Sequence, residues 1–130
     1  MSLQQEVEVI LARQLADYLA LPIFLVDPAG NLLFYNEPAE VILGQRYAET
    51  GPMPAEEWAT IFRPTDADGN PLAPDELPLI IALRELRPAH SEFWIHGLDD
   101  RVRRRIEVTA FPLIGQAQRY LGALAIFWES

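Results

Sequence analysis

The chain contains no cysteine, so disulfide bonds, a thiolate nucleophile and cysteine-ligated metals or clusters are all excluded. No run of apolar residues is long enough to cross a membrane as a helix; the longest, residues 121–128, is of strand length. The N-terminus lacks the basic segment and apolar stretch of a secretory signal, so the expected location is cytoplasmic. Bases are scarce. There are 10, all arginine, against 19 acids, for a formal charge of −9. That balance repels nucleic acid and anionic membrane, and neither is expected as a partner. The one basic cluster, Arg101, Arg103, Arg104 and Arg105, suits a phosphate or an acidic helix. It reads more simply as a hairpin arm balanced by Asp99, Asp100 and Glu107. There is no internal repeat, Gly-rich phosphate loop, nucleophile elbow or His-x-x-x-His.

What is present is one domain's length, 130 residues, with half of them hydrophobic. Leu3, Val7, Ile10, Leu11, Leu15, Tyr18 and Leu19 recur at three- and four-residue steps and predict an amphipathic helix over 3–20, with Ser2 as its N-cap and Gln5 completing a capping box. Pro22 ends it, which divides the chain into a helical segment, 1–21, and a domain, 22–130. Ile23–Val26 and Leu32–Tyr35 are strand-like and flank Asp27-Pro28-Ala29-Gly30-Asn31. In that turn Asp-Pro starts the reversal and Gly30 supplies positive φ. Asn36 caps a short helix that ends at Gly44. Residues 45–74 read as irregular apart from a helical piece, Ala55–Phe62. A helix from Pro74, with Asp75 and Glu76 at its N-terminus, carries Leu77 to Leu86. Strands follow at about 90–97, 102–114 and 119–128.

Helices and strands are thus segregated, which predicts an α+β fold with an antiparallel sheet. The last strand is apolar on both faces, Leu121, Ala123, Ala125 and Phe127 on one and Leu124, Ile126 and Trp128 on the other; residues 23–26 are likewise apolar throughout. An antiparallel sheet with one wet face would alternate. The sheet centre is therefore expected to be covered on both sides, by the short helices and by the N-terminal helix or a second subunit.

Residues Pro22–Asn36 (strand, Asp-x-x-Gly turn, strand, Asn at a helix start), Ala39–Gly44 and the paired closing strands 104–113 and 120–128 together resemble PAS domains, over about residues 22–129. The resemblance implies a five-stranded antiparallel sheet in the order 2-1-5-4-3, with short helices on one face enclosing a pocket. It also implies a sensory or relay module without chemistry of its own, set beside an effector such as a kinase or cyclase in a bacterial signal-transduction or two-component system. The flavin-binding members carry a cysteine motif and a last-strand glutamine, a place Leu124 takes here, so a covalent flavin photocycle is excluded. Haem-binding members place a histidine on the helix corresponding to Asp75–Arg87, which has none, and no cofactor is expected. His90 and His96 share a strand face with Glu92 and Trp94, opposite the core candidates Ser91, Phe93 and Ile95.

Asp66-Ala67-Asp68-Gly69-Asn70 reads as a turn, since a calcium loop needs its glycine at position six. Asp75 and Glu76 read as helix-capping acids, and neither they nor any other residue is assigned a catalytic or metal-binding role. Strand parity with the family pattern turns Phe24, Val26, Phe34, Ile106, Val108, Leu124 and Ile126 inward. Trp58, Phe62, Leu79, Leu83 and Phe93 close the helical side. Two readings of this set stay open, a site for a small apolar ligand and a filled core. Opposite parity places Ile23, Leu25, Ala123, Ala125 and Phe127 on the outer face, where with Leu3, Val7, Ile10, Leu11 and Leu15 they would form a homodimer seam. The alternatives from other classes are a ligand-free interaction module and a small-pocket α+β enzyme, which would need a carboxylate or histidine facing the cavity.

Overall fold

A computed structural model describes residues 10, 11, 14, 15, 18, 20–97 and 103–130, with the side chain of Gln116 excepted. The proposed N-cap Ser2, together with Gln5, Leu3, Val7, Asp99, Asp100 and Arg101, lies outside the described residues. Residues 10, 11, 14, 15 and 18 are helical. No helix among the described residues is long and apolar enough to cross a membrane.

After this segment come strand β1 (Ile23–Val26), β2 (Leu32–Tyr35), helix α1 (Glu37–Leu43), α2 (Tyr47–Thr50), α3 (Ala55–Ile61) and a 3-10 turn (Pro74–Glu76). Helix α4 (Pro78–Glu85), β3 (Ala89–His96), β4 (Arg103–Ile114) and β5 (Tyr120–Glu129) complete the chain, with a second 3-10 turn between the last two strands. The five strands form one antiparallel sheet in the order β2-β1-β5-β4-β3.

The β1–β2 turn and the helix after it follow local chemistry. The Asp27 carboxylate accepts from the backbone N–H groups of Ala29 and Asn31 at 3.0 and 2.8 Å. The fully buried Asn36 is a three-way clamp. Its Oδ1 accepts from Ala39 N–H, capping α1, and from Ile23 N–H, while its Nδ2 donates to Leu21 O at 2.7 Å. Its loss would orphan buried groups at about 1–3 kcal/mol each. Gly44 closes α1 in the left-handed region.

Three sequence expectations shift here. Residues 47–50, read as irregular, form α2. The helix expected from Pro74 is two elements, because Pro78 disfavours helical backbone at Leu77, which is extended (φ −79°, ψ 135°). Glu76 still caps, accepting from Ala73 N–H at 2.7 Å, but it caps the 3-10 turn and not α4.

Register decides the faces. Phe24 pairs with Ala125 and Val26 with Ala123, while Ile23 pairs with Ile126 and Leu25 with Leu124. Directly paired residues share a face. Ala123, Ala125 and Phe127 therefore join Phe24 and Val26 in the core beneath the helices, and Leu124 and Ile126 join Ile23 and Leu25 on the opposite face. This reverses the sequence expectation for Ala123 to Phe127, while Leu121 lies on the outer face as its expected parity had it. A bulge between β1 and β2 places both Leu33 and Phe34 outside, so Phe34 is also corrected from inward to outward.

Residues 62–72 fold against the free edge of β3. Thr65 and Trp94 exchange two backbone hydrogen bonds at 2.8 and 2.9 Å, and His96 N–H donates to Phe62 O at 2.8 Å. A sheet edge otherwise open to pairing is thereby partly covered.

Candidate functional site

Between the helix-facing side of the sheet and the helices lies a cavity of about 80 Å³. From the sheet it is walled by Phe24, Phe93, Ile95, Ile106, Val108, Ala125 and Phe127, and from the helices and their connections by Leu43, Trp58, Ala59, Phe62, Pro64, Leu77, Pro78 and Leu79. Among the described residues Trp58 brings the only side-chain polar atom of this wall, and its Nε1–H already donates to Gly30 O at 2.8 Å. Its ring meets Phe24 edge-on at 5.4 Å, and Phe24 stacks in turn on Tyr35 at 5.9 Å. No titratable side chain among the described residues lines the space.

Of the residues expected to form a pocket, Phe24, Trp58, Phe62, Leu79, Phe93, Ile106 and Val108 are brought together here. Val26 lies in the same core away from the cavity, and Leu83 packs on that core's margin. Phe34, Leu124 and Ile126 are on the other face. The β5 positions that look into the cavity are Ala125 and Phe127, so Leu124 does not stand where an inward glutamine would. Leu43, Pro64, Leu77 and Pro78 escaped the sequence reading because they lie at helix ends and in connections, where no periodicity marks a face. Ile95 was legible from strand parity alone.

The outer face is divided. Ile23, Leu25 and Leu124 form an apolar cluster with Phe34, Phe111, Leu121 and Ile126 around it. Toward β3 the face becomes polar and self-satisfied. Arg105 pairs with Glu92, whose carboxyl that bond holds below the usual range. Trp128 Nε1 donates to Glu107 at 2.8 Å and His90 lies 3.6 Å from Glu107. On the helix-facing side, where Arg104 pairs with Ile95 and Glu129 with Ile106, Arg104 lies 3.5 Å from Glu129. Arg103 sits over the Trp94 ring at 4.8 Å and donates to Asp66 O at 2.9 Å. Of the described arginines of this arm, Arg103 meets loop carbonyls, Arg104 meets Glu129 and Arg105 meets Glu92, with the Glu107 charge also acting on Arg105; Asp99, Asp100 and Arg101 lie outside the described residues. His90 Nδ1 is 2.7 Å from Thr109 Oγ1, and both strand histidines lie away from the cavity. In the loop 66–70, Asp66 Oδ1 accepts from the N–H groups of Asp68 and Asn70 at 2.9 Å each, which is the expected turn.

Burial raises the Tyr35 pKa above its ordinary value, with its hydroxyl donating to Gln45 O at 2.8 Å; burial raises that of Tyr120 too, whose hydroxyl reaches Leu83 O. Neither hydroxyl faces the cavity. No group of three or more potential metal ligands occurs among the described residues.

No protein-family model matches the sequence, and no curated protein matches it. Solved structures do. A PAS domain from Colwellia psychrerythraea is 20% identical with a TM-score of 0.64, over 94% of this chain and 97% of that one. The PAS domain of nitrogen regulation protein NR(II) from Vibrio parahaemolyticus is 15% identical (TM-score 0.63, 92% and 98% covered). The light-state dimer of the fungal blue-light photoreceptor Vivid is 12% identical (TM-score 0.65, 99% and 97% covered). Strand order, antiparallel register and these likenesses together show that the chain has the PAS fold.

Proposed function

We propose that this chain is a non-catalytic sensory and relay module of a bacterial signal-transduction protein, dimerising through its N-terminal helix and taking a small, wholly apolar ligand beneath the sheet. The observation that carries the reading is the cavity, whose wall, among the described residues, offers no free hydrogen-bonding or titratable side chain. Acid–base or nucleophilic chemistry has no group to work with there, and a polar ligand would lose its hydration without compensation. Drug-sized ligands occupy pockets of about 300–1,000 Å³. At about 80 Å³, the space suits a molecule of a few heavy atoms. The residues present do not fit a flavin, for want of volume and of polar anchors. They do not fit haem, since α4 bears no histidine and His90 and His96 are turned elsewhere.

A second copy is supported by exposure on the N-terminal helix. Leu11, Leu15 and Tyr18 follow the four- and three-residue spacing of a helix–helix seam and are 57%, 59% and 89% exposed. The dimeric photoreceptor named above shares the fold, and the nitrogen regulation protein gives a precedent for a PAS domain within a regulatory protein.

The test is xenon pressure followed by NMR. Shifts confined to Phe93, Ile106 and Val108 are expected. Their absence would turn the reading to a ligand-free interaction module, which the small cavity volume favours as the second reading. For the dimer, sedimentation equilibrium of Leu11→Glu/Leu15→Glu should give monomer where the parent chain gives dimer; a monomeric parent would remove this part.

A further inference from the structure

We infer that residues 62–72 are a latched strap that opens as a unit from the edge of β3 and gates the apolar cavity, an inference that rests on reading the cavity as a ligand site. Phe62 and Pro64 belong to the cavity wall, facing a sheet side that includes Phe93 and Ile95. Lifting the segment therefore widens access to the cavity without disturbing the β1–β5–β4 centre of the sheet.

The strap is closed upon itself. Asp66 N–H donates to Asn70 O and Leu72 N–H to Pro64 O, both at 2.9 Å, and Thr65 bridges Pro71. Among the described residues its polar attachments to the sheet sit in one seam. They are the Thr65–Trp94 backbone pair, the His96 N–H to Phe62 O bond with His96 Nδ1 3.4 Å from Arg63 O, and Arg103, whose Nη2 reaches Asp66 O at 2.9 Å and Ala67 O at 3.4 Å while its guanidinium lies over Trp94; beneath them Phe62 is buried in the core. Arg103 thus pins the tip from a different strand, as a latch does.

Two features oppose closure. The Thr65 hydroxyl is buried in the seam with no hydrogen-bond partner. Arg63, at the strap's entry, is held at φ +51°, a region that side-chain-bearing residues avoid. A closed state that leaves a buried hydroxyl unpaired and a hinge residue strained lies nearer in free energy to its open form than the ladder does.

Amide hydrogen exchange tests this. The Thr65, Trp94 and His96 N–H groups, which span the seam, should exchange at one common rate, faster than amides between β4 and β5. Arg103→Leu should accelerate the seam amides alone by about tenfold, the worth of one charged hydrogen bond. Thr65→Val should slow them, since it removes the unpaired hydroxyl. Seam amides exchanging at the ladder rate would overturn the strap. So would uniform acceleration by Arg103→Leu, or acceleration by Thr65→Val. Arg103→Lys, which keeps a charged donor, guards against a variant that fails to fold and should give an intermediate rate. Absence of any xenon-induced shift removes the ligand reading, whereas xenon entry at a rate unchanged by Arg103→Leu overturns the gate.

Discussion

Asp27–Asn31 and Asp66–Asn70 share the pattern Asp-x-x-Gly-Asn and nearly the same hydrogen bonds. In each, the aspartate N–H donates to the asparagine carbonyl at 2.9 Å, and its Oδ1 accepts from the residues two and four further on, at 2.8–3.0 Å. Their surroundings differ completely. The first turn is wedged into the fold. Trp58 bonds the Gly30 carbonyl, the Ala55 methyl lies 3.3 Å from where a Gly30 side chain would start, and β5 presses from behind at Gly122. The second turn stands at the strap's tip, with open space around Gly69. Identical local chemistry therefore makes a fixed corner of the sheet in one place and a separable flap in the other, and what differs is the number of neighbours that would have to be displaced.

The contrast can be broken most forcefully at Gly122. A Cβ there would lie 2.0 Å from Val26 O and 3.1 Å from Asp27 Cα, a backbone collision no rotamer relieves. Gly122→Ala should cost about 4 kcal/mol or more in urea unfolding, at the upper end for point substitutions. A cost below about 1 kcal/mol would show that the first turn is not wedged.

A direct comparison is Gly30→Ala against Gly69→Ala. Both residues have positive φ, +93° and +85°, so each variant loses about 1–2 kcal/mol to backbone strain. Only Gly30→Ala adds a tight contact, and it should be the costlier of the two in thermal unfolding. Equal costs would mean that the surroundings of the two turns do not matter.

The smallest effect concerns pH and the second turn alone. The Asn70 backbone N–H is the chief cause holding the exposed Asp66 carboxyl below its ordinary value. A carboxyl depressed in the folded state stabilises above its unfolded pKa of about 3.9, and that contribution is lost as pH falls through the lower folded value. Below pH of about 4 the Thr65 and Trp94 amides should lose protection ahead of the β4–β5 ladder, and Asp66→Asn should flatten that dependence. Loss in parallel at both places would tie the turn to global unfolding.

Much of the fold was legible. The Asp27 turn, the Asn36 cap, the left-handed Gly44 and five strands followed from residue chemistry and period, and the strand order from the resemblance. The face of β1 was also read correctly. β5 was not, because a strand apolar on both sides carries no alternation to say which face is which. The pairing of Phe24 with Ala125 settled it. Phe34 failed for a related reason, since a bulge breaks the two-residue period that parity relies on. At the cavity, the strand and helix-centre residues were visible while the helix-end residues Leu43 and Pro78 were not. The likeness between the two Asp-x-x-Gly-Asn turns was present in the sequence, but it told nothing of their different roles.

Turns, caps, proline breaks, the absence of thiol chemistry and an apolar content that needs two covered sheet faces all follow from residues and their neighbours along the chain. Which face each β5 residue serves, how little space remains beneath the sheet, and that residues 62–72 pair with β3 emerge only when distant segments pack together. Those outcomes depend on register and on packing between segments tens of residues apart, where many arrangements satisfy the same local preferences and only the simultaneous fit of all of them selects one.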